Sequence, residues 1–256
     1  MSLKHHVPNI ITLLNLLCGT IAVIFAVQGN LVMAALFVAL GIFFDFFDGL
    51  AARSLNVKSE LGLQLDSLAD MVTSGVVPGI VMYQMFLKAL PSQPEVSGDW
   101  TAGQELLVWN LPVFALFGLL ITLASGYRLA KFNIDERQSD SFIGLPTPAN
   151  ALLILSLPMI IIFQPQPEIL SVILNEWFLV GLTLFSCFIL NAEIPLFALK
   201  FKNWSFGANK LRYFFIVLCL VLLLIFQFVA IPIIIISYVV LSLIFSGGRK
   251  EVELTQ

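Results

Sequence analysis

The chain has 256 residues, of which 59% are hydrophobic and only 11% are charged, and its formal net charge is −3. This composition excludes a soluble globular domain, which needs a polar surface, and is typical of a protein that crosses a membrane several times. The sequence carries no nucleic-acid-binding motif, so we expect no nucleic-acid partner. We expect one integral membrane domain over residues 1–256.

Eight apolar segments are long enough to cross a bilayer, which takes about 20 apolar residues in a helix. In chain order they cover roughly residues 9–28, 31–53, 66–89, 106–131, 147–164, 172–194, 211–227 and 230–246. The last two belong to one nearly unbroken apolar run, which is too long for a single span and predicts a hairpin split at Ala230-Ile231-Pro232. The fold class that follows is an all-α polytopic helix bundle with about eight transmembrane helices.

The distribution of basic residues predicts the orientation of these spans, because Lys and Arg concentrate on the cytoplasmic side of a membrane. If the N-terminus is cytoplasmic, 12 of the 13 basic residues fall on that side and only Lys88 falls on the other. Both termini are therefore predicted to be cytoplasmic, in a multi-pass protein of the cell (inner) membrane.

The inner loop 200–212 mixes basic and aromatic residues, which suits contact with anionic headgroups or ordinary interfacial anchoring. The outer loop 91–104 is interpreted as a solvated connector.

Four aspartates lie at the cytoplasmic ends of the second and third spans. Asp45 and Asp48 are three residues apart, and Asp66 and Asp70 are four apart, so each pair shares a helix face. We expect the dozen residues before Asp66 to form a tight turn that brings the two faces together. Four converging carboxylates repel one another unless cations neutralise them, and hard divalent ions such as Mg²⁺ take oxygen ligands together with substrate phosphates.

The residues between these aspartates complete a site for a diphosphate. Arg53 carries a guanidinium fork that suits a phosphate oxygen. Gly49 and Ala52 leave room for a bulky ligand against the helix backbone. The residue types alone thus indicate metal-assisted phosphoryl chemistry. Two alternatives are an N-terminal helix cap by Asp66 and an ion-coupled transporter, since both also place carboxylates at or in membrane helices.

The stretch from Asp45 to Asp70 resembles the signature of the CDP-alcohol phosphotransferase family, D-x2-D-G-x2-A-R-x8-G-x3-D-x3-D, at all eight fixed positions. The resemblance implies a CDP-linked lipid donor, two divalent ions (Mg²⁺ or Mn²⁺) and CMP as the leaving group. It further implies that Asp45, Asp48 and Asp66 ligate metal, and that Asp70 lies near the second ion and acts as general base. The remaining signature residues would line the CDP moiety: Gly49, Ala52, Arg53 and Gly62.

A second stretch, 125–151, resembles the signature of bacterial and archaeal phosphatidylserine synthases. It contains Arg128-Leu129-Ala130-Lys131-Phe132-Asn133, followed by Phe142-Ile143-Gly144-Leu145-Pro146-Thr147-Pro148-Ala149. Serine brings a carboxylate that needs a cation, and Arg128 and Lys131 present two on one helix face. As the alternative, Arg128 and Lys131 would only anchor the helix end at the cytoplasmic surface. We interpret the Gly/Pro segment as a stiff loop over the site, and the alternative is an ordinary turn between helices.

The start of the first span also resembles this family, in the run Pro8-Asn9-Ile10-Ile11-Thr12-Leu13-Leu14-Asn15. The resemblance suggests that Thr12 and Asn15 face the nucleotide. The alternative is that Asn9 only caps the helix. The resemblance implies a catalytic core of about residues 1–194, an added C-terminal hairpin of about 211–246, and a homodimer. The expected reaction is transfer of a phosphatidyl group from CDP-diacylglycerol to L-serine. The alternative acceptors are glycerol phosphate, inositol phosphate and choline, and the alternative class is a cation-coupled transporter.

Overall fold

The computed structural model describes residues 6–57, 59–90, 112–135, 142–196 and 209–253; the loops 91–104 and 200–208 and Arg137 lie outside these ranges. The described helices are α1 (His6–Val27), α2 (Leu31–Ser54), α3 (Glu60–Asp70), α4 (Val77–Ala89), α5 (Leu120–Ile134), α6 (Thr147–Phe163), α7 (Pro167–Ile173), α8 (Glu176–Asn191), α9 (Lys210–Phe226) and α10 (Ala230–Glu253). A π-helical stretch (Met71–Val76) joins α3 to α4, 3₁₀ turns occur at Ala115–Leu119 and Gln227–Val229, and two short strands are β1 (Phe142–Ile143) and β2 (Pro195–Leu196).

The chain is an all-α polytopic membrane protein, as predicted. Among the described residues, five helical stretches are long and apolar enough to cross a membrane, or six if the bent pair α7 and α8 counts as one span. The five are His6–Val27, Leu31–Ser54, Glu60–Ala89, Ala115–Ile134 and Arg212–Ile244. In addition, α6 is a shorter apolar helix. Helices cover most of the described part of each predicted segment, but eight crossings and two cytoplasmic termini stay predictions.

The stretch Arg212–Ile244 is folded back on itself. Phe215 in α9 and Tyr238 in α10 have ring centroids 5.6 Å apart, although a straight helix would separate these positions by about 35 Å. The chain reverses at Gln227, whose φ is +49°. Gln164 holds this turn, because its Nε2 donates to the Phe226 carbonyl (3.1 Å) and its Oε1 accepts from the Phe228 N–H (3.0 Å). The two helices therefore form a hairpin, whose turn precedes the predicted split at Ala230.

Two predicted boundaries were wrong for local reasons. The third span begins at Glu60 rather than at 66, because the Ser59 side chain accepts from the Gly62 N–H (3.0 Å) and caps the helix. The predicted sixth segment, 172–194, starts in the last residues of α7 and crosses a bend, because α7 and α8 meet at 62°. Asn175 caps α8 by accepting from the Trp177 N–H (2.9 Å).

The buried core lies where α1, α2, α4 and α6 meet. Small residues bring the antiparallel α1 and α2 together, with Ala22, Ala26 and Ala34 fully buried, as is common where membrane helices pack closely. In α4, Val77 and Val81 are fully buried one turn apart, so α4 occupies the centre of the bundle. This packing brings the N-terminal end of α1 and the C-terminal end of α2 beside the start of α3.

The strands β1 and β2 fasten the segment after α5 to the segment after α8. Phe142 pairs with Leu196 and Ile143 with Pro195 in antiparallel register. Gly144 follows with φ of +73°, and its N–H donates to the Ile194 carbonyl (3.0 Å). A Cβ at Gly144 would lie 2.6 Å from the Leu190 carbonyl oxygen. This glycine is thus required both by its backbone conformation and by the close approach of α8.

We expect Gly144→Ala to destabilise the protein by about 1–3 kcal/mol, because alanine adds a steric clash to an unfavourable φ. Thermal unfolding in detergent measures the loss. Gly181→Ala is the matched control, since Gly181 lies in α8 with nothing within 4 Å of a Cβ and without a positive φ. An unchanged unfolding midpoint for Gly144→Ala would contradict the described backbone at this position.

Candidate active site

The helices α2 and α3 present their aspartates to each other. Asp45 and Asp48 lie one turn apart in α2, and Asp66 and Asp70 lie one turn apart in α3. Asp48 is buried, with 6% of its surface exposed, and the other three are half-buried. Because α3 already begins at Glu60, Asp66 is inside the helix and is not its N-terminal cap.

Three of these carboxylates converge. One oxygen each of Asp45, Asp48 and Asp66 lies within 4.8 Å of the others. Asp70 lines the same cavity but is not part of this three-carboxylate group. Three acidic groups so close together repel one another unless a cation lies between them. Their chemistry fits a hard divalent ion, which prefers carboxylate oxygen ligands.

Helix α1 supplies hydrogen bonds to two of the aspartates. The Thr12 hydroxyl donates to Asp48 Oδ2 at 2.6 Å. The Asn15 amide donates to Asp70 Oδ1 at 3.5 Å. Thr12 lines the cavity, whereas Asn15 does not and is fully buried. Asn9 lies inside α1, which begins at His6, so it is not the N-terminal cap and instead lines the cavity.

A cavity of about 820 Å³ adjoins the carboxylates, which is within the usual size range for small-molecule sites. It lies between α1, α2, α3, α5 and the start of α6. Its polar and charged lining residues are Asn9, Thr12, Asp45, Asp48, Ser59, Glu60, Asp66, Ser67, Asp70, Arg128 and Thr147. A cavity with acidic groups on one wall and a cation on another can hold a metal-bound phosphate beside a second, anionic substrate.

The other signature residues are divided between the cavity and its rim. Gly49, Ala52 and Gly62 line the cavity, and their contact with CDP stays a prediction. Arg53 is exposed and is not among the lining residues. Its Nε donates to the Gly49 carbonyl at 2.8 Å, so the side chain lies back along α2.

The two cations predicted to share a face both line a small second cavity, but only one of them also lines the main cavity. Arg128 lines the main cavity, is only 7% exposed, and has Nη1 3.5 Å from the Thr147 hydroxyl. Its guanidinium carbon lies 5.8 Å from the centroid of the Phe132 ring. Lys131 does not line the main cavity and forms an ion pair with Glu193 (3.2 Å). Arg128 is therefore the cation of this pair that faces the carboxylates.

Several cavity residues were not predicted. Ser67 could have been found from helical periodicity, because it lies three residues before Asp70 in α3. Ser59 could have been found as the residue that caps α3. Ser67 accepts from the Asn133 amide (2.9 Å), which links α3 to α5. Thr147 was not singled out as a site residue, but it belongs to the Gly/Pro segment that was interpreted as a loop over the site. Its neighbours Pro146 and Pro148 also line the cavity.

The profile of the CDP-alcohol phosphatidyltransferase family matches residues 5–188, which is more than two thirds of the chain. The chain belongs to the CDP-alcohol phosphatidyltransferase family. The match includes all four aspartates, Arg128 and Thr147. Members of the CDP-alcohol phosphatidyltransferase family generally use a divalent metal ion, which agrees with the donor set of Asp45, Asp48 and Asp66.

Several relatives within the CDP-alcohol phosphatidyltransferase family are named CDP-diacylglycerol–serine O-phosphatidyltransferase. The protein from Bacillus subtilis (strain 168) is 33% identical over 168 residues, 66% of this chain and 81% of the relative. The one from Helicobacter pylori (strain J99) is 33% identical over 149 residues, and the alignment spans 57% of this chain and only 54% of that relative. The one from Methanocaldococcus jannaschii is 29% identical over 169 residues, 66% of this chain and 68% of the relative.

Proposed function

We propose that this protein transfers a phosphatidyl group from CDP-diacylglycerol to the hydroxyl of L-serine, giving phosphatidylserine and CMP. The observation that carries the proposal is that the three-carboxylate group and the buried Arg128 line the same cavity. The names of the relatives support the choice of serine. In the proposed reaction the serine oxygen forms a bond to the phosphorus that carries the lipid, and the bond from that phosphorus to CMP breaks.

The acidic wall is proposed to hold the diphosphate. Asp45, Asp48 and Asp66 would hold a divalent ion, Mg²⁺ or Mn²⁺, and Asp70 would contribute to a second. Bound ions of this kind would neutralise the diphosphate and the charge that develops on the departing CMP. Thr12 supports this arrangement by donating to Asp48. Gly49, Ala52 and Gly62 leave space for CDP beside the helix backbones, and Arg53 is proposed to reach a phosphate oxygen from the rim.

The remaining residues are proposed to act on serine. Asp70 accepts the proton of the serine hydroxyl, a role that needs hydrogen-bond reach between the two groups. Arg128 binds the serine carboxylate through its guanidinium fork. A buried arginine suits this task because its charge is weakly screened and it cannot be deprotonated in proteins. For Lys131 the proposed contribution is smaller, because Glu193 already pairs with its ammonium group.

We place the proposed site on the cytoplasmic side of the cell membrane, where CMP is released. The distribution of basic residues supports this side. The homodimer rests on the family resemblance alone, and the division into a core of about 1–194 and a hairpin of about 211–246 stays a prediction.

A panel of acceptors tests the substrate assignment. Purified protein receives CDP-diacylglycerol, Mg²⁺ or Mn²⁺, and either L-serine, glycerol 3-phosphate, inositol phosphate or choline. We expect CMP and a new phospholipid with serine alone. CMP release with only another alcohol would overturn serine as the acceptor and keep the transferase reaction. Cation flux into proteoliposomes without CMP release from any alcohol would favour the transporter instead.

A further inference from the structure

The chain leaves regular α-helical geometry directly after Asp70. Met71–Val76 form a π-helical stretch, and within it Thr73, Ser74 and Gly75 are buried. Such stretches are rare and often occur at functional sites. A π turn contains an extra residue, so it changes which side chains face the neighbouring helix. In this stretch the side chain of Thr73 forms a hydrogen bond to Asn15 of α1.

A chain of hydrogen bonds runs from Thr73 to Asp70 through Asn15. The Thr73 hydroxyl lies 2.8 Å from Asn15 Oδ1 and 3.3 Å from the Asn15 carbonyl oxygen. The Asn15 Nδ2 donates to Asp70 Oδ1 at 3.5 Å. Thr73 and Asn15 are both fully buried. The chain therefore connects a residue outside the cavity with a carboxylate that lines it.

The chemistry of these groups sets the direction of each hydrogen bond. An ionised carboxylate only accepts, so Asn15 must turn its NH₂ group toward Asp70. The amide oxygen of Asn15 then points away from Asp70 and needs a donor of its own. Among the described residues, the Thr73 hydroxyl is that donor. Without it, the oxygen would be buried without a partner, a state that proteins avoid.

Two glycines bring the helices close around this pair. A Cβ at Gly41 of α2 would lie 2.9 Å from Asn15 Oδ1 and 2.7 Å from Thr73 Cγ2. A Cβ at Gly19 of α1 would overlap Thr73 Oγ1. Helices α1 and α2 thus enclose Thr73 tightly, and its side chain has little freedom to move.

From these contacts we infer that Thr73 is a positioning residue that orients Asp70 through Asn15 during phosphatidyl transfer. The inference rests on the proposed function, because it needs Asp70 to act on the serine hydroxyl. It assigns Asn15 to the support of Asp70 instead of to direct contact with the nucleotide. Partners in the layer behind a metal-binding or catalytic carboxylate typically change activity by about 10–100-fold when they are removed.

The test compares variants that differ in the hydroxyl. Thr73→Val keeps the shape and removes the hydroxyl, whereas Thr73→Ser keeps the hydroxyl and removes the methyl group. We expect Thr73→Val to lower kcat for CMP release about tenfold with little change in KM for CDP-diacylglycerol, and Thr73→Ser to stay near wild type. Equal kcat values for Thr73→Val and the wild type would overturn the inference. So would a Thr73→Ser variant as slow as Thr73→Val, because packing would then explain both losses.

Two further comparisons separate this inference from other causes of failure. If Thr73→Val does not fold, the pair Thr73→Ala and Thr73→Ser gives the same comparison with two smaller side chains. A raised KM with unchanged kcat in the variants lacking the hydroxyl would mean that Thr73 acts on substrate binding, and would also overturn the inference. If the wild type itself releases no CMP with any alcohol, the proposed function fails first, and the positioning role fails with it.

Discussion

Replacing Asp70 by asparagine is expected to lower kcat for CMP release by about a thousandfold, within the range that a lost general base usually causes. Asparagine has nearly the same shape as aspartate but does not accept a proton from serine. The cavity keeps the group formed by Asp45, Asp48 and Asp66, since Asp70 is not part of it. CDP-diacylglycerol binding should therefore be partly retained, and equilibrium binding of the labelled lipid measures this directly.

Glu176→Gln is the control for Asp70→Asn, because it also exchanges a carboxylate for an amide. Glu176 lies in the first turn of α8 and is not among the residues that line the cavity. Its kcat should stay close to that of the wild type. Full activity of Asp70→Asn would remove Asp70 as the base. Complete loss of CDP-diacylglycerol binding would instead make Asp70 a substrate-binding residue.

Replacing Arg128 by methionine is expected to raise KM for serine by about 10–100-fold, the range for a lost hydrogen bond to a charged group. Arg128 is buried and lines the same cavity as the carboxylates. Its guanidinium is the proposed partner of the serine carboxylate. KM for CDP-diacylglycerol should change much less, since the acidic wall is proposed to hold the diphosphate. Steady-state kinetics with serine as the varied substrate measures the effect.

Lys131→Met is the matched comparison, because it removes the other cation of the same helix. Lys131 pairs with Glu193 outside the main cavity, so its loss should raise KM for serine several times less than the loss of Arg128. Arg128→Lys should recover part of the binding, since it restores charge without the planar fork. An effect of Lys131→Met as large as that of Arg128→Met would contradict the separation of the two side chains.

The acidic half of the site was predictable because its geometry is local. Asp45 and Asp48 share a face of α2, and Asp66 and Asp70 share a face of α3, by spacing alone. The short connection between the two helices then limits how far apart the pairs can lie. The start of α3 precedes the apolar segment because Ser59 caps a polar first turn, which hydropathy does not mark.

The basic half was only partly predictable. Positions three apart on a helix differ by about 60° in direction, which is enough for Arg128 and Lys131 to face different neighbours. Their surroundings depend on α8 and on the segment after β1, which are distant in sequence. The contacts of Asn15 and Thr73 depend likewise on how closely Gly19 and Gly41 allow the helices to approach. Spacing within one helix contains no information about such contacts.

If the acidic cavity carries out the proposed metal-dependent transfer to serine, CMP release must stop when the metal is removed. The purified protein is stripped with a chelator, mixed with CDP-diacylglycerol and labelled serine, and then titrated with Mg²⁺ or Mn²⁺. We expect no CMP before metal is added, and afterwards equal amounts of CMP and labelled phosphatidylserine. CMP release that persists without metal, or that does not depend on serine, would overturn the proposed function.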